Sequence, residues 1–163
     1  SRWLLKFEIN AVNTEGLTLA LRVPSWCQGI LRVQVNEEDV ASPVIKDGFL
    51  YFKEGLDQAV ITIFFKNLLH TEALADIPEL TAILDGPIVL AGMTDKDTGI
   101  RGDTAHPESF LAPRNEHTYE TYPWQQNHYS TRNQDINFEL KPLYEVMDEA
   151  YTVYFTAKED KSC

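Results

Sequence analysis

From Leu17 to Val23 the chain alternates, with Leu17, Leu19, Leu21 and Val23 on one side and Thr18, Ala20 and Arg22 on the other. That period of two predicts a half-buried β-strand. Pro24, which has no N–H to give to a ladder, ends it. The same alternation runs through Trp3, Leu5, Phe7 and Ile9, and again through Leu31, Val33 and Val35. It is already under way at the third residue, as expected of a piece of a longer chain. Val44–Lys46 and Phe49–Lys53 flank Asp47-Gly48, a dipeptide that supplies the positive φ of a tight hairpin turn. Ala59–Phe65 is apolar at every position but Thr62, as in a strand covered on both faces. Leu68–Leu74, Leu80–Leu84 and Ile88–Ala91 follow, the last two separated by Gly86-Pro87.

Many short strands without a long helical period predict an all-β fold, an antiparallel β-sandwich of jelly-roll type over residues 1–92. From Thr94 to Asp135 the pattern changes. Gly99, Gly102, Pro107, Pro113 and Pro123 fall here, with three of the four histidines. This stretch reads as a long, mostly irregular excursion, either functional or packed on a neighbouring surface. Its aromatics, Phe110, Tyr119, Tyr122, Trp124 and Tyr129, argue against disorder. Strand patterns return at Ile136, Phe138 and Leu140 and at Tyr151, Val153 and Phe155, with Glu145–Ala150 as a turn or one helical turn. Residues 93–163 are therefore expected to form a loop-rich extension whose C-terminal strands pack on the same module.

Charge narrows the partners. The chain has 163 residues, 14 Lys plus Arg against 25 Asp plus Glu, and a net charge of −11. Such a surface repels phosphate backbones and anionic lipid, which argues against nucleic acid and membrane as partners. No apolar run approaches the roughly 18 residues of a membrane span. Two cysteines, Cys27 and Cys163, make no disulfide framework, which is compatible with a reduced intracellular compartment and leaves a secreted protein open as well.

Candidate chemistry is sparse. Asp97-Thr98-Gly99 matches half of an aspartic-protease dyad, but a shared proton needs two such loops, and one is present. His106, His117 and His128 stand eleven residues apart, without the close spacing of metal ligands on one element. Carboxylates are plentiful (Glu37, Glu38, Asp39, Asp76, Glu79, Asp148, Glu149), and nothing singles out a glycosidase pair. Ser25 and Cys27 lack a nucleophile elbow. Tyr119, Tyr122, Trp124 and Tyr129 form the one cluster with binding character. Their rings suit sugar stacking or an interface, but the reading in which they pin the loop to the domain's own core or to a neighbour is the favoured one. No catalytic, metal or cofactor residue is assigned.

Three segments together resemble glycoside hydrolase family 127, the β-L-arabinofuranosidase family. They are Leu21-Arg-Val-Pro-Ser-Trp26 with the strand ending Val35-Asn36; Thr71–Leu74 through Thr81-Ala-Ile-Leu-Asp-Gly-Pro-Ile-Val-Leu-Ala-Gly92; and Pro142-Leu-Tyr-Glu-Val-Met-Asp-Glu-Ala-Tyr-Thr-Val-Tyr-Phe155. The resemblance implies a long N-terminal (α/α) barrel followed by β-sandwich domains. Catalysis would lie with a zinc-bound cysteine and a glutamate in that barrel. None of those motifs matches here, and Cys27 does not correspond to the nucleophile. The resemblance thus implies a non-catalytic accessory module. Its partner would be its own N-terminal catalytic barrel, and any zinc would sit in that barrel. An oligosaccharide-binding module and a homodimerisation domain are the alternative expectations. Two turns depart from the family pattern: Asn36-Glu37 stands where Asn-Gly is common, and Lys53–Gln58 replaces an Arg-x-Trp and Gly-Asp turn.

Overall fold

The structure, a computed structural model, describes residues 2–94, 98–114, 116–117, 120–121 and 126–158. It is all-β: among the described residues the helical elements are two 3₁₀ turns. The chain divides into two compact units, Arg2–Asn67 and Leu68–Cys163. Residues 69–92 join the strands that follow them in one sheet.

In the Arg2–Asn67 unit the strands are β1 (Arg2–Glu8), β2 (Leu19–Arg22), β3 (Cys27–Val35), β4 (Glu38–Asp39), β5 (Val44–Lys46), β6 (Phe49–Phe52) and β7 (Val60–Asn67). They form two antiparallel sheets, ordered β1-β7-β3-β4 and β2-β6-β5. Both sheets contribute to one core: Val33, Ile61, Ile63 and Phe65 from the first, Leu50 and Phe52 from the second, with Leu56 between strands. This is the sandwich that the alternation predicts. Ile61, Ile63 and Phe65 face inward on β7 while Thr62 and Phe64 are half-buried on the other side, so β7 is covered on one face only. Trp3, Trp26 and Phe65 pack as a tilted trio with ring centroids 5.7–6.3 Å apart. β3 begins four residues before the expected strand. Register shifts between Cys27 and Gly29 and between Ile30 and Arg32 break its alternation, which is why the pattern does not show there.

Two tight turns carry left-handed residues. Asp47 (φ 50°) and Gly48 (φ 78°) close the β5–β6 hairpin as expected. Asn36 (φ 51°) and Glu37 (φ 69°) close β3–β4, and the Asn36 side chain accepts a hydrogen bond from Val60 N–H at 2.8 Å. Asparagine tolerates this conformation, whereas glutamate is strained in it.

In the Leu68–Cys163 unit the strands are β8 (Leu69–Ala73), β9 (Leu80–Asp85), β10 (Ile88–Gly92), β11 (Ile100–Arg101), β12 (Leu111–Pro113), β13 (Glu116–His117), β14 (Glu120–Thr121), β15 (Tyr129–Thr131), β16 (Glu139–Pro142) and β17 (Tyr154–Lys158). The 3₁₀ turns are Pro107–Ser109 and Leu143–Glu145, the second starting just before the expected turn. One sheet runs β11-β17-β9-β10-β16-β15-β12, with β8 also on β9. Every pairing is antiparallel except β11–β17. Its core, Ile83, Leu90, Ile100, Phe110, Leu111, Tyr129, Phe138, Leu140 and Phe155, draws on most strands of that sheet and on the segments between them. Gly92 sits where β10 meets Phe138 and Phe155. A Cβ there would lie 2.7 Å from the Phe155 ring, so only glycine fits. The excursion from Thr94 to Asp135 is punctuated by β11, β12 and β15 and by the small β13–β14 pair.

The strain at Glu37 yields a test. Glu37→Gly is expected to raise the stability of the Arg2–Asn67 unit by about 0.5–1 kcal/mol. The readout is the urea midpoint followed by tryptophan fluorescence. An unchanged or lower midpoint would show that the turn stores no such strain.

Candidate functional site

The excursion is fastened at its base by a buried carboxyl group. On β9 the inward positions are Thr81, Ile83 and Asp85, and Asp85 is 0% exposed, directly before the Gly86-Pro87 turn. Its Oδ2 accepts the Tyr129 hydroxyl at 2.6 Å and Asn127 Nδ2 at 2.8 Å. Alternation on β15 directs Tyr129 and Thr131 inward, and Asn127 (φ 62°) turns the chain into that strand. A buried acid without donors is strongly unfavourable, so this position demands that polar side chains come to it.

His128, between the two donors, faces a different group. Its Nε2 lies 3.0 Å from Glu145 Oε2 and its Nδ1 lies 2.9 Å from Gln126 O. Arg114 N–H donates to His128 O at 2.8 Å, and the Arg114 guanidinium pairs with Glu139. β12 and β15 are thus tied at Arg114 and His128, beyond the end of their ladder. Pro113 pairs with Tyr129 and Leu111 with Thr131.

Of the expected contact residues, Tyr129 is 6% exposed and belongs to this core. Tyr119, Tyr122 and Trp124 lie outside the described residues, as do Asp97 and Cys163. His106 and His128 are not brought to a common centre, since His106 Nδ1 faces Glu108 Oε1 at 3.3 Å. The His117 side chain is outside the described residues. Asp85 serves here as an anchor, enclosed rather than open to a substrate.

A second feature escaped the sequence reading. Between β16 and β17, Tyr144 is 70% exposed and Met147 82%, with Leu143 and Tyr151 also exposed, as is Tyr154 at the start of β17. Three tyrosines and Met147 within a short stretch that also holds Glu145, Asp148 and Glu149 were the available signal, but strand and turn patterns at that site masked it. The segment is held by Glu149. Its Oε1 accepts Lys141 Nζ at 2.5 Å and its Oε2 accepts Met147 N–H at 2.9 Å. The hydrogen bond from Lys141, seconded by that backbone N–H, holds the Glu149 carboxyl at about 2.

No family model matches the chain, and no curated protein matches it in sequence. Among solved structures it is similar to a GH127 β-L-arabinofuranosidase from Geobacillus stearothermophilus T6. The TM-score is 0.56 at 17% identity, and the alignment covers 95% of this chain and 27% of that one. It is also similar to a protein described as a glycoside hydrolase, with TM-score 0.61 at 13% identity over 94% of this chain and 30% of that one. At such identities the likeness shows the fold. The chain spans less than a third of the length of either relative.

Two outcomes follow from this geometry. Tyr129→Phe withdraws one donor from a buried carboxyl and is expected to cost about 1–3 kcal/mol, read as a lower urea midpoint. A midpoint equal to that of the parent chain would mean the hydroxyl does not support Asp85. For Glu149 the sign is that of a depressed carboxylate. Its stabilising contribution is present above the ordinary glutamate value, about 4.3, and is lost as pH falls through about 2. An NMR titration should place its midpoint at about 2, and Lys141→Met should move it up toward the ordinary range. No movement in that variant would remove Lys141 as the cause.

Proposed function

We propose that this chain is a non-catalytic accessory module of a larger glycoside hydrolase of the β-L-arabinofuranosidase type. In that reading it buttresses a separate helical barrel that carries the chemistry. The observation that supports this most is the one-sided coverage: nearly all of this chain aligns with little more than a quarter of the GH127 enzyme. The three sequence segments that resemble the family point the same way. The interior supplies a further argument. Asp85, the one fully buried acid among the described residues, is used to fasten a hairpin and is closed to substrate.

A second reading, a carbohydrate-binding module, draws on the exposed Tyr144, Tyr151 and Tyr154 beside Glu145 and Glu149. Aromatic faces stack on sugar rings and carboxylates accept their hydroxyls.

The purified chain is expected to leave aryl β-L-arabinofuranosides unhydrolysed. Release of the aryl group at enzyme-like rates would overturn the accessory reading. Calorimetric titration with arabinose-containing oligosaccharides separates the two readings. Saturable heat at millimolar or tighter affinity, lost in Tyr144→Ala, would favour the binding module, and no heat from the folded protein would favour the scaffold.

A further inference from the structure

The sheet β2-β6-β5 has one face in the core of the Arg2–Asn67 unit and one turned away from that core. Leu50 and Phe52 are buried in the core, with Leu19 and Leu21 packed against it. Alternation therefore places Ala20 and Arg22 of β2, Phe49 and Tyr51 of β6, and Val44 and Lys46 of β5 on the opposite face. The registers set them in two rows. Tyr51 lies between Ala20 and Val44, and Phe49 lies between Arg22 and Lys46. The two rings stand side by side, with centroids 6.4 Å apart and planes tilted by 49°. Phe49 is 37% exposed and Val44 56%, and Arg22 and Lys46 are exposed as well. Charge sets this face apart. β2, β5 and β6 contain no acidic residue, and Asp47, the nearest acid in sequence, is in the hairpin turn past the end of the ladder. Elsewhere in the unit Lys6 pairs with Glu8 and Arg32 with Asp39. Among the described residues no carboxylate pairs with Arg22 or Lys46. The spacing of neighbouring strands puts these two cations about 10 Å from each other, one on each side of Phe49.

We propose that this face binds an acidic oligosaccharide, one built from uronic acid units. The C–H faces of the sugar rings stack on Phe49 and Tyr51. Their carboxylates take charge-assisted hydrogen bonds from Arg22 and Lys46, and the Arg22 guanidinium holds one through two parallel N–H donors. A neutral sugar would leave both cations unmatched. Two cations are too few for a nucleic acid, whose affinity comes from many phosphate contacts. They are also fewer than the basic clusters that hold a protein on an anionic membrane. The Arg2–Asn67 unit carries seven basic and eight acidic side chains, so its own net charge does not oppose an anion of a few carboxylates. The surface is separate from the exposed Tyr144 segment of the other unit. It is also independent of the accessory reading, and its test does not involve hydrolysis.

Calorimetric titration of the chain with tri-galacturonic acid at low ionic strength is expected to show saturable binding, millimolar or tighter, that weakens as salt is added. The fully methyl-esterified trimer has the same rings and no charge, and should bind about tenfold more weakly or worse. Arg22→Gln and Lys46→Gln, both at exposed positions, should each weaken binding of the acid by several-fold and leave the ester unaffected. Phe49→Thr keeps a strand-forming residue and should weaken both trimers alike. The comparison of the two trimers uses the parent chain alone, so it stands whatever a variant does to folding. Absence of saturable binding by the folded parent chain overturns the proposal. So does equal binding of acid and ester, or binding of the acid that all three variants leave unchanged. Binding lost in Tyr144→Ala instead would put the sugar on the other surface and overturn it too. A single-stranded oligonucleotide, or vesicles of anionic lipid, bound more tightly than the acid at equal salt would overturn the sugar assignment in favour of another polyanion.

Discussion

Asp85 is the constraint on which the Leu68–Cys163 unit turns. A carboxyl group on the inward face of a core strand is costly unless donors reach it. Here they come from Asn127 and Tyr129, more than forty residues further along the chain. Satisfying that one group therefore dictates where the long excursion returns. Once Asn127 and Tyr129 are in place, alternation turns His128 outward toward Glu145, and β15 can pair with β12 on one side and β16 on the other.

The Arg2–Asn67 unit is organised differently. Its stability rests on apolar burial between two sheets, with β7 central and the Trp3, Trp26 and Phe65 rings filling one end. A small two-sheet sandwich must leave strand edges somewhere. One of them is β1, where the inward-facing Leu5 is left 40% exposed. Such an edge is either a liability or an interface.

For function, the two units share a character. Their buried polar groups fasten structure, and their reactive side chains stand apart from one another. His106 and His128 each face a different carboxylate, and the Asp-Thr-Gly sequence has no second loop to complete it. The chain aligns to less than a third of the length of its structural relatives.

The sequence by itself determined the strand content, the Asp47-Gly48 hairpin and the inward face of β2, because a period of two and a turn dipeptide are local signals; β7, apolar at nearly every position, carries no such period, and only the fold decided which of its faces is covered. It did not show the bulged start of β3, since an extra residue shifts the alternation that makes a strand visible. Nor did it show the division after Asn67, because which sheet a strand joins depends on partners far along the chain. Tyr129 was legible as a large aromatic in a loop, yet only the tertiary structure decided that its hydroxyl belongs to Asp85. A carboxyl before Gly-Pro looks the same in sequence whether it is solvated or buried. What separates the two cases is the arrival of donors from another strand, and that is a property of the fold.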